Sequence, residues 1–475
     1  MRTMNKGINI MRNITMTLVL AALLVFTGCD LFSYNEVQDP NNPTVEAVTS
    51  GATAGQLVNL ATGLESRHRT YANAGSNYQA LVGVFGREMY AIFNSDPNFW
   101  RRWVQTTTPN AENDPTFFAG IFRTYTAPYN AIAQANLILT AVDNTDAISD
   151  TEKNGYRGYA NTIKGFQYLI PLQTQYRDQG DRSPSGSIRI DVDDFLNPGP
   201  FRSYDDALSD IRDILDQGYA QLQNSGTSLH FADGLSSGFD GFATAAGMAE
   251  LNRAIAARAA LYAEDWQGVL DALDDSFIDF TATPASMNIG GYHVFQGPPD
   301  TFNPMFWTPN QASTQILMVH PDILADTTAG DGRISKFFER NDPVVFTGES
   351  TYQFMHQVQL FNSNDSPIPF IRNEELLLMY AEASARESNF LDALDGINAV
   401  RNAWGLGDYA GPVTEADLID EIVYQRKYSL YGEGHRWIDM RRLDRLNQID
   451  TSLDGGRVPL YISRPLDEIN WENRN

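Results

Sequence analysis

The sequence predicts a mainly α-helical protein in which paired helices form the body and an irregular, loop-rich lobe carries a few short strands. Apolar and aromatic residues recur at every third or fourth place through most of the chain, the period of an amphipathic helix. One local pattern opens such a helix in "YDDALSDI" (204–211), "DWQGVLDAL" (265–273) and "NFLDALDGI" (389–397). Between about 276 and 370 that period disappears, and Pro, Gly, Asn and aromatic residues take over.

The N-terminus is of another kind. Arg2, Lys6 and Arg12 precede the apolar run "ITMTLVLAALLVF" (14–26), which is followed by "TGC". A basic start, a short apolar middle and small residues before a cysteine make a secretory signal, and the run is too short for a permanent membrane span. Cys29 is the chain's single cysteine, so an internal disulfide or a Cys-based metal site is excluded. "VFTGC" resembles the bacterial lipoprotein signal, with Phe26 where Leu is usual; the resemblance implies lipidation of Cys29 as the new N-terminus. An ordinary cleaved signal leaving a free thiol is the alternative. Each buried CH₂ contributes about 0.8 kcal/mol, so two or more acyl chains would hold the protein firmly to a bilayer.

Cleavage before Cys29 removes three basic residues and no acidic ones, leaving 31 basic against 59 acidic residues, a balance of −28. Such a surface repels phosphate backbones and anionic headgroups, which excludes nucleic acid as a partner.

The elements follow in order. "DLFSYNEVQDPNNPTVE" (30–46) has no helical period and reads as a tether. "GQLVNLATGLESRHRTYANAGSNYQALVGVFGREMYAI" (55–92) predicts two helices around Gly75, and 117–144 and 150–180 predict two more. In 201–222, Ser203 and Asp206 make a capping-box-like start, with Leu208, Ile211, Leu215 and Tyr219 as the apolar stripe. A long helix over 244–277 should break near Asp265, and a last helical block runs from Asn373 to Leu446. "ARAALYAE" and "MYAEASARE" precede the second and third recurring signatures, and their small residues let neighbouring helices pack closely. These are tetratricopeptide-like helix pairs, degenerate and unevenly spaced, predicting a right-handed superhelical body. Within the lobe, "STQILMVHP" and "STYQFMHQVQLF" predict short strands. The lobe's aromatic content argues for order.

Candidate chemistry is sparse. "GLSSG" (234–238) matches the G-x-S-x-G nucleophile elbow, but that motif needs a strand before and a helix directly after Ser236, and a helical neighbourhood predicts a plain loop. The histidines at 68, 230, 293, 320, 356 and 435 never take a metal-ligand spacing, and no phosphate-binding glycine pattern precedes a helix. Neither an enzyme nor a cofactor is expected. Loop aromatics are the stronger signal: Trp100 and Trp103 in "NSDPNFWRRW", Tyr292, Phe306 and Trp307 in 292–307, and Tyr352. Such rings either grip a ligand or seat the lobe on the body, and the Pro and Asn neighbours of Trp100 and Trp307 favour exposure. These six are the candidate ligand-binding residues.

"RNEELLLMYAEASARESNFLDALDGINAVRNAWGL" (372–406) followed by "YQRKYSLYGEGHRWIDMRR" (424–442) resembles the C-terminal hallmark of the SusD/RagB-like nutrient-uptake lipoproteins, and the tail "RPLDEINWENRN" is similar to theirs. The matching positions are Arg372, Glu375, Tyr380, Ala381, Glu382, Ala383, Asn398, Arg401, Arg426, Glu433, Gly434, Arg436, Asp439 and Arg442. Gln425 and Ser429 stand where the family usually has Glu, so ion pairs around Arg426 should be fewer. Read from the residues, Gly432 and Gly434 turn one helix into another starting near His435, with Trp437, Met440 and Leu443 as its buried stripe. Asp439 is spaced to meet His435 and Arg442. Buried arginines need partners and partnered ones fix geometry, so Arg372, Glu382, Arg401, Arg426, Glu433, Arg436 and Asp439 are expected to be scaffold.

The resemblance implies a signal peptide (1–28), a lipidated tether (29–46) and a single domain (47–475). That domain comprises an N-terminal helical part (47–275), the ligand lobe (276–370) and the hallmark region (371–475). It implies a protein on the exterior of a bacterial outer membrane that captures glycans, or oligopeptides, for a SusC-like TonB-dependent barrel. A helical adaptor without a small ligand remains the alternative from the helix pairs alone.

Overall fold

The structure is a computed structural model that describes residues 45–73, 77–93, 99–107, 110–116, 124–176, 187–191, 198–311, 315–347, 351–472 and 474. The chain divides into two compact units, Met1–Ser50 and Gly51–Asn475. In the first, the described part is a short helix, Val45–Thr49. The signal, Cys29 and most of the tether lie outside the described residues.

In the second unit, helix α1 (Ala54–His68) starts on a capping box between Thr53 and Gln56 and buries Leu57, Ala61, Leu64 and His68 along one face. Helix α2 (Tyr78–Phe85) follows, capped by Asn77. Here the helical expectation for "REMYAI" fails. Arg87 takes φ 51°, which ends the helix, and Met89–Phe93 forms strand β1 because its backbone pairs with a later strand of the lobe. A short helix, Phe99–Val104, packs on β1.

Helices α3 (Thr126–Asp143), α4 (Asp150–Gln173), α5 (Tyr204–Gln223), α6 (Ala245–Ala263) and α7 (Trp266–Asp274) then pack each on the next. Ser203 caps α5 through the Asp206 amide, and Leu208, Ile211 and Leu215 are buried as the stripe required. A Cβ at Gly158 would stand 2.5 Å from Leu222 Cγ, so only glycine lets α4 and α5 approach this closely. Glu264 at φ 61° ends α6, and Asp265 caps α7, which is the predicted break.

The lobe contributes strands β2 (Gly290–His293), β3 (Gln315–Val319), β4 (Phe337–Thr347), β5 (Thr351–Val358) and β6 (Ile368–Arg372). A four-stranded sheet has the order β1-β3-β5-β4, and β2 pairs with β6; all pairings are antiparallel. The two strands predicted from sequence are β3 and β5. Strands β1, β2 and β6 escaped because their partners are distant in the chain, whereas β4 escaped although it pairs with the neighbouring β5.

Helices α8 (Asn373–Arg386), α9 (Phe390–Ala403), α10 (Glu415–Ser429) and α11 (Arg436–Arg442) complete the body. Ala381, Ala385 and Ala393 pack with Ile397, Leu418, Ile419 and Ile422, the small-residue contact read from "MYAEASARE". An aromatic knot seats the lobe on the body: His68 lies 4.8 Å from Phe166, 4.7 Å from His293 and 4.6 Å from Phe370, ring centre to ring centre. Burial holds His68 down at about 3 and His293 well below the usual imidazole range, so both are neutral core residues rather than ligands.

Candidate functional site

Strand β6 runs straight into α8, and Arg372 sits at that junction, buried. Its guanidinium bonds Glu374, meets Glu433 at 2.8 Å and 3.1 Å, and donates to the carbonyls of Met287 and Ser429. Lys336, from the turn before β4, donates to the carbonyls of Tyr428 at 2.7 Å and Ser429 at 2.6 Å. Two cations thus close the C-terminal end of α10, where unsatisfied carbonyls and the helix dipole favour positive charge. Burial raises the Glu374 carboxyl, but Arg372, Lys336 and Arg333 outweigh it and hold the group at about 2. The stem of Lys336 is partly exposed while its ammonium is enclosed; burial and the neighbouring Arg372 lower it to about 8.

A second network lies behind the first. Arg442 grips both oxygens of Glu382 at 2.6 Å and one oxygen of Asp439 at 3.0 Å. The other Asp439 oxygen accepts from Arg426 at 2.7 Å, and Arg258 is bidentate to Glu375. Both Nη atoms of Arg426 are buried without a hydrogen-bond partner among the described residues. Gln425 turns instead to Glu421 at 2.7 Å, and the Ser429 hydroxyl accepts from Arg333 at 2.8 Å. The two missing acids thus coincide with incomplete pairing around Arg426. Arg401 pairs with Glu421, while Arg436 donates to the Gly86 carbonyl. Glu433 serves Arg372 rather than the start of α11, and His435 approaches Glu375, at 3.9 Å, rather than hydrogen-bonding Asp439. Gly432 and Gly434, at φ 74° and 88°, make the turn into α11.

In front of the first network opens a cleft of about 390 Å³ between lobe and hallmark region. Tyr292, Met305, Phe361 and Trp404 supply its apolar faces, with Lys336 and Glu433 among its polar groups. Tyr292, Phe361 and Trp404 are each half-buried. Trp404 is held by its indole N–H, which donates to Glu374 at 2.6 Å, and Tyr292 by its hydroxyl, which donates to the Asn288 carbonyl. The charges around the cleft already have partners inside the protein. What they present is a rigid, paired rim around open ring faces.

The six sequence-predicted ligand residues scatter. Tyr292 lines the cleft. Phe306 and Trp307 follow Met305 in the segment between β2 and β3, half-buried, and Gln357 of β5 holds that segment by donating to the carbonyls of Trp307 and Thr308 at 3.1 Å and 3.2 Å. Trp103 is fully buried, so its ring packs inside the protein and offers no open face. Trp100 shares that short helix and Tyr352 lies on β5 opposite Phe346; their side chains fall outside what is described. Sequence reasoning missed Trp404 and Phe361. Trp404 stood in plain view in "NAWGLG", a tryptophan between a helix end and two glycines, which is a signal for a ring at a turn.

Ser236 caps a single 3₁₀ turn, Ser237–Phe239, and bonds Glu65, with no strand leading in and no α-helix directly following. The nucleophile elbow is absent. No group of acids and histidines among the described residues is placed to hold a metal ion, and none of the described helices is long and apolar enough to cross a membrane.

Residues 343–470 match the model of the SusD family. No curated protein matches the chain. Among solved structures the chain is similar to a SusD superfamily protein of Parabacteroides distasonis, at 16% identity and TM-score 0.62 over 89% of this chain and 98% of that one. It is also similar to NanU of B. fragilis, at 15% identity and TM-score 0.61 over 87% and 94%. A SusD-like carbohydrate binding protein of Bacteroides vulgatus aligns at 16% identity and TM-score 0.58, over 83% and 84%.

Proposed function

From a chain that is SusD/RagB-like in its C-terminal sequence and in its fold, we propose a nutrient-binding lipoprotein that captures glycans in the cleft between lobe and hallmark region. The observation that carries the reading is the cleft itself: half-buried rings of Tyr292, Phe361 and Trp404 beside charges already paired within the protein. Sugars bind by laying their apolar faces on aromatic rings while a few fixed polar groups meet their hydroxyls. Ion pairing keeps Arg372 and Glu433 from attracting ions, which suits an uncharged ligand. Phe306, Trp307, Trp100 and Tyr352 remain candidates for the same stacking role. The relative from B. vulgatus is named for carbohydrate binding, which supports this class of ligand.

In this reading Cys29 carries the lipid that holds the protein on the exterior of the outer membrane, and a SusC-like TonB-dependent barrel receives the ligand. The protein binds and releases without chemistry. Modest affinity suits handover, because the ligand must leave. Calorimetric titration of the purified protein against neutral oligosaccharides and oligopeptides tests the reading. Saturable glycan binding weakened by Trp404→Ala supports it; peptide binding alone moves the ligand to the oligopeptide class. Binding of neither, with a barrel complex still forming, favours the adaptor. Mass spectrometry of the membrane-extracted chain, with and without Cys29→Ser, tests the anchor.

A further inference from the structure

A second cavity, of about 680 Å³, opens where the ends of α4, α6 and α8 meet the first residues of α5 and α7 and the last turn of α11. It shares no lining residue with the lobe cleft. Three half-buried rings, Tyr176, Tyr204 and Trp266, form its walls, and the buried Arg441 contributes to its lining.

Arg441 differs from Arg372, Arg426 and Arg442, each of which has a carboxylate partner. Its Nη atoms donate to the carbonyls of Leu460 at 2.8 Å and Gln173 at 2.5 Å, and its guanidinium lies 4.3 Å from the Trp437 ring centre. Arg442, next to it, is neutralised by Glu382 and Asp439. Arg386, also on the cavity, pairs with Glu415 at 2.8 Å. Among the described residues no carboxylate lies within ion-pair distance of Arg441. Burial disfavours its charge, and the titratable groups nearest it are the neutral phenols of Tyr204, Tyr78, Tyr262 and Tyr176. Glu264 and Asp444 do line the cavity, but both are solvent-exposed, where water and salt screen them. A buried cation held only by neutral dipoles is costly, and an anion entering the cavity would relieve that cost.

We propose that this cavity is a second ligand site, which takes a small organic carboxylate, the anionic group facing Arg441 and the body of the ligand lying against Tyr204 and Trp266. An acidic sugar and the C-terminus of a short peptide offer the same group. The proposal stands apart from the lobe cleft and survives if that cleft proves to bind nothing.

The test is calorimetric titration of the full chain with two matched pairs, D-glucuronate against D-glucose and alanyl-alanine against its C-terminal amide. At least one acid should bind and its neutral partner should bind about tenfold more weakly or not at all, the difference a charge-assisted contact supplies. Which acid binds names the source. Arg441→Gln should remove that difference while leaving any neutral-glycan binding unchanged. Because Arg441 also holds two backbone carbonyls, Trp266→Ala serves as a second variant and should weaken acid binding with the melting temperature nearly kept. Equal or absent binding of acid and neutral partner in both pairs overturns the proposal and needs no variant. So does acid binding that neither substitution changes.

Discussion

The C-terminal helices and the lobe solve the same problem, the burial of polar groups, with different balances of ion pairs and amides. In the hallmark region acids and arginines find one another: Arg372 with Glu374 and Glu433, Arg442 with Glu382 and Asp439, Arg258 with Glu375. Among its described residues the lobe has one such pair, Arg333 with Asp331, and otherwise side-chain amides hold its backbone carbonyls. Asn303 donates to Ser366, and Gln357 donates to Trp307 and Thr308. A buried ion pair tolerates one arrangement, since removing either partner strands the other. An amide on a carbonyl constrains the path of the loop but leaves the rings beside it free to vary. The difference teaches that the rigid part of this design is the platform, and the adjustable part is what stands on it.

The largest expected effect comes from breaking the platform where the two regions meet. Arg372→Ala leaves Glu374 and Glu433 facing each other without their cation, takes its bond from the Met287 carbonyl and leaves Lys336 alone on the Ser429 carbonyl. It should cost about 3–5 kcal/mol, read as a drop in the urea midpoint. A loss below about 1 kcal/mol would remove the contrast between the regions.

Acid should separate them next. His68 and His293 fold neutral, with pKa values below their unfolded value, so from about pH 6.5 downwards the unfolded chain takes up protons the folded one refuses. Stability therefore falls with pH, at up to about 1.4 kcal/mol per pH unit for each histidine. Glu88 runs the other way. Burial lifts it to about 8, so it favours the folded state at low pH and loses that contribution as pH rises from about 4.5 to 8. His320, which burial holds down at about 4, adds a third such histidine. For these four groups the net slope between pH 6.5 and 4.5 is then about two protons. Below 4.5 Glu374, Glu375 and Asp439, each held at about 2, add to it as the unfolded chain protonates its carboxylates first. Glu88→Gln should raise stability at pH 8 by about 1–3 kcal/mol and steepen the slope above pH 4.5 by about one proton. Denaturation at stepped pH measures both.

The turn between α10 and α11 is the third point of attack. A Cβ at Gly432 would sit 2.5 Å from Leu360 Cδ1 on a backbone at φ 74°. Gly432→Ala should cost about 1–2 kcal/mol, while Gly455→Ala, at φ 62° with open space around it, should cost less. Equal losses would mean that crowding against the lobe contributes nothing.

These contrasts explain what could be read in advance. The helices were legible because their signals are local: the apolar period, Ser203 before Asp206, the glycines at 432 and 434. The hallmark network was legible through resemblance, and Gln425 and Ser429 marked where its pairing would thin. Strand β1 was not legible, since "MYAIF" owes its conformation to β3, more than two hundred residues later. The binding rings were legible in kind but not in place. Trp103 and Trp307 look alike in sequence, each in an aromatic cluster beside Pro and Asn; only packing buries one completely and leaves the other partly open.

The smallest effect on stability should be the largest on binding. Trp404 sits at the end of α9, half-exposed, and its one hydrogen bond is to a carboxylate that Arg372 already holds. Trp404→Ala therefore removes a ring face from the cleft without stranding a charge, and should cost no more than about 1 kcal/mol of stability. A stacking face contributes about 1 kcal/mol or more to a bound sugar, so glycan affinity should fall about five- to tenfold. Trp404→Phe, which keeps a ring and loses the N–H, should recover most of that affinity. Were the phenylalanine as weak as the alanine, the hydrogen bond to Glu374 rather than the ring face would be what the ligand needs, and the cleft would belong to the rigid platform instead of the adjustable surface.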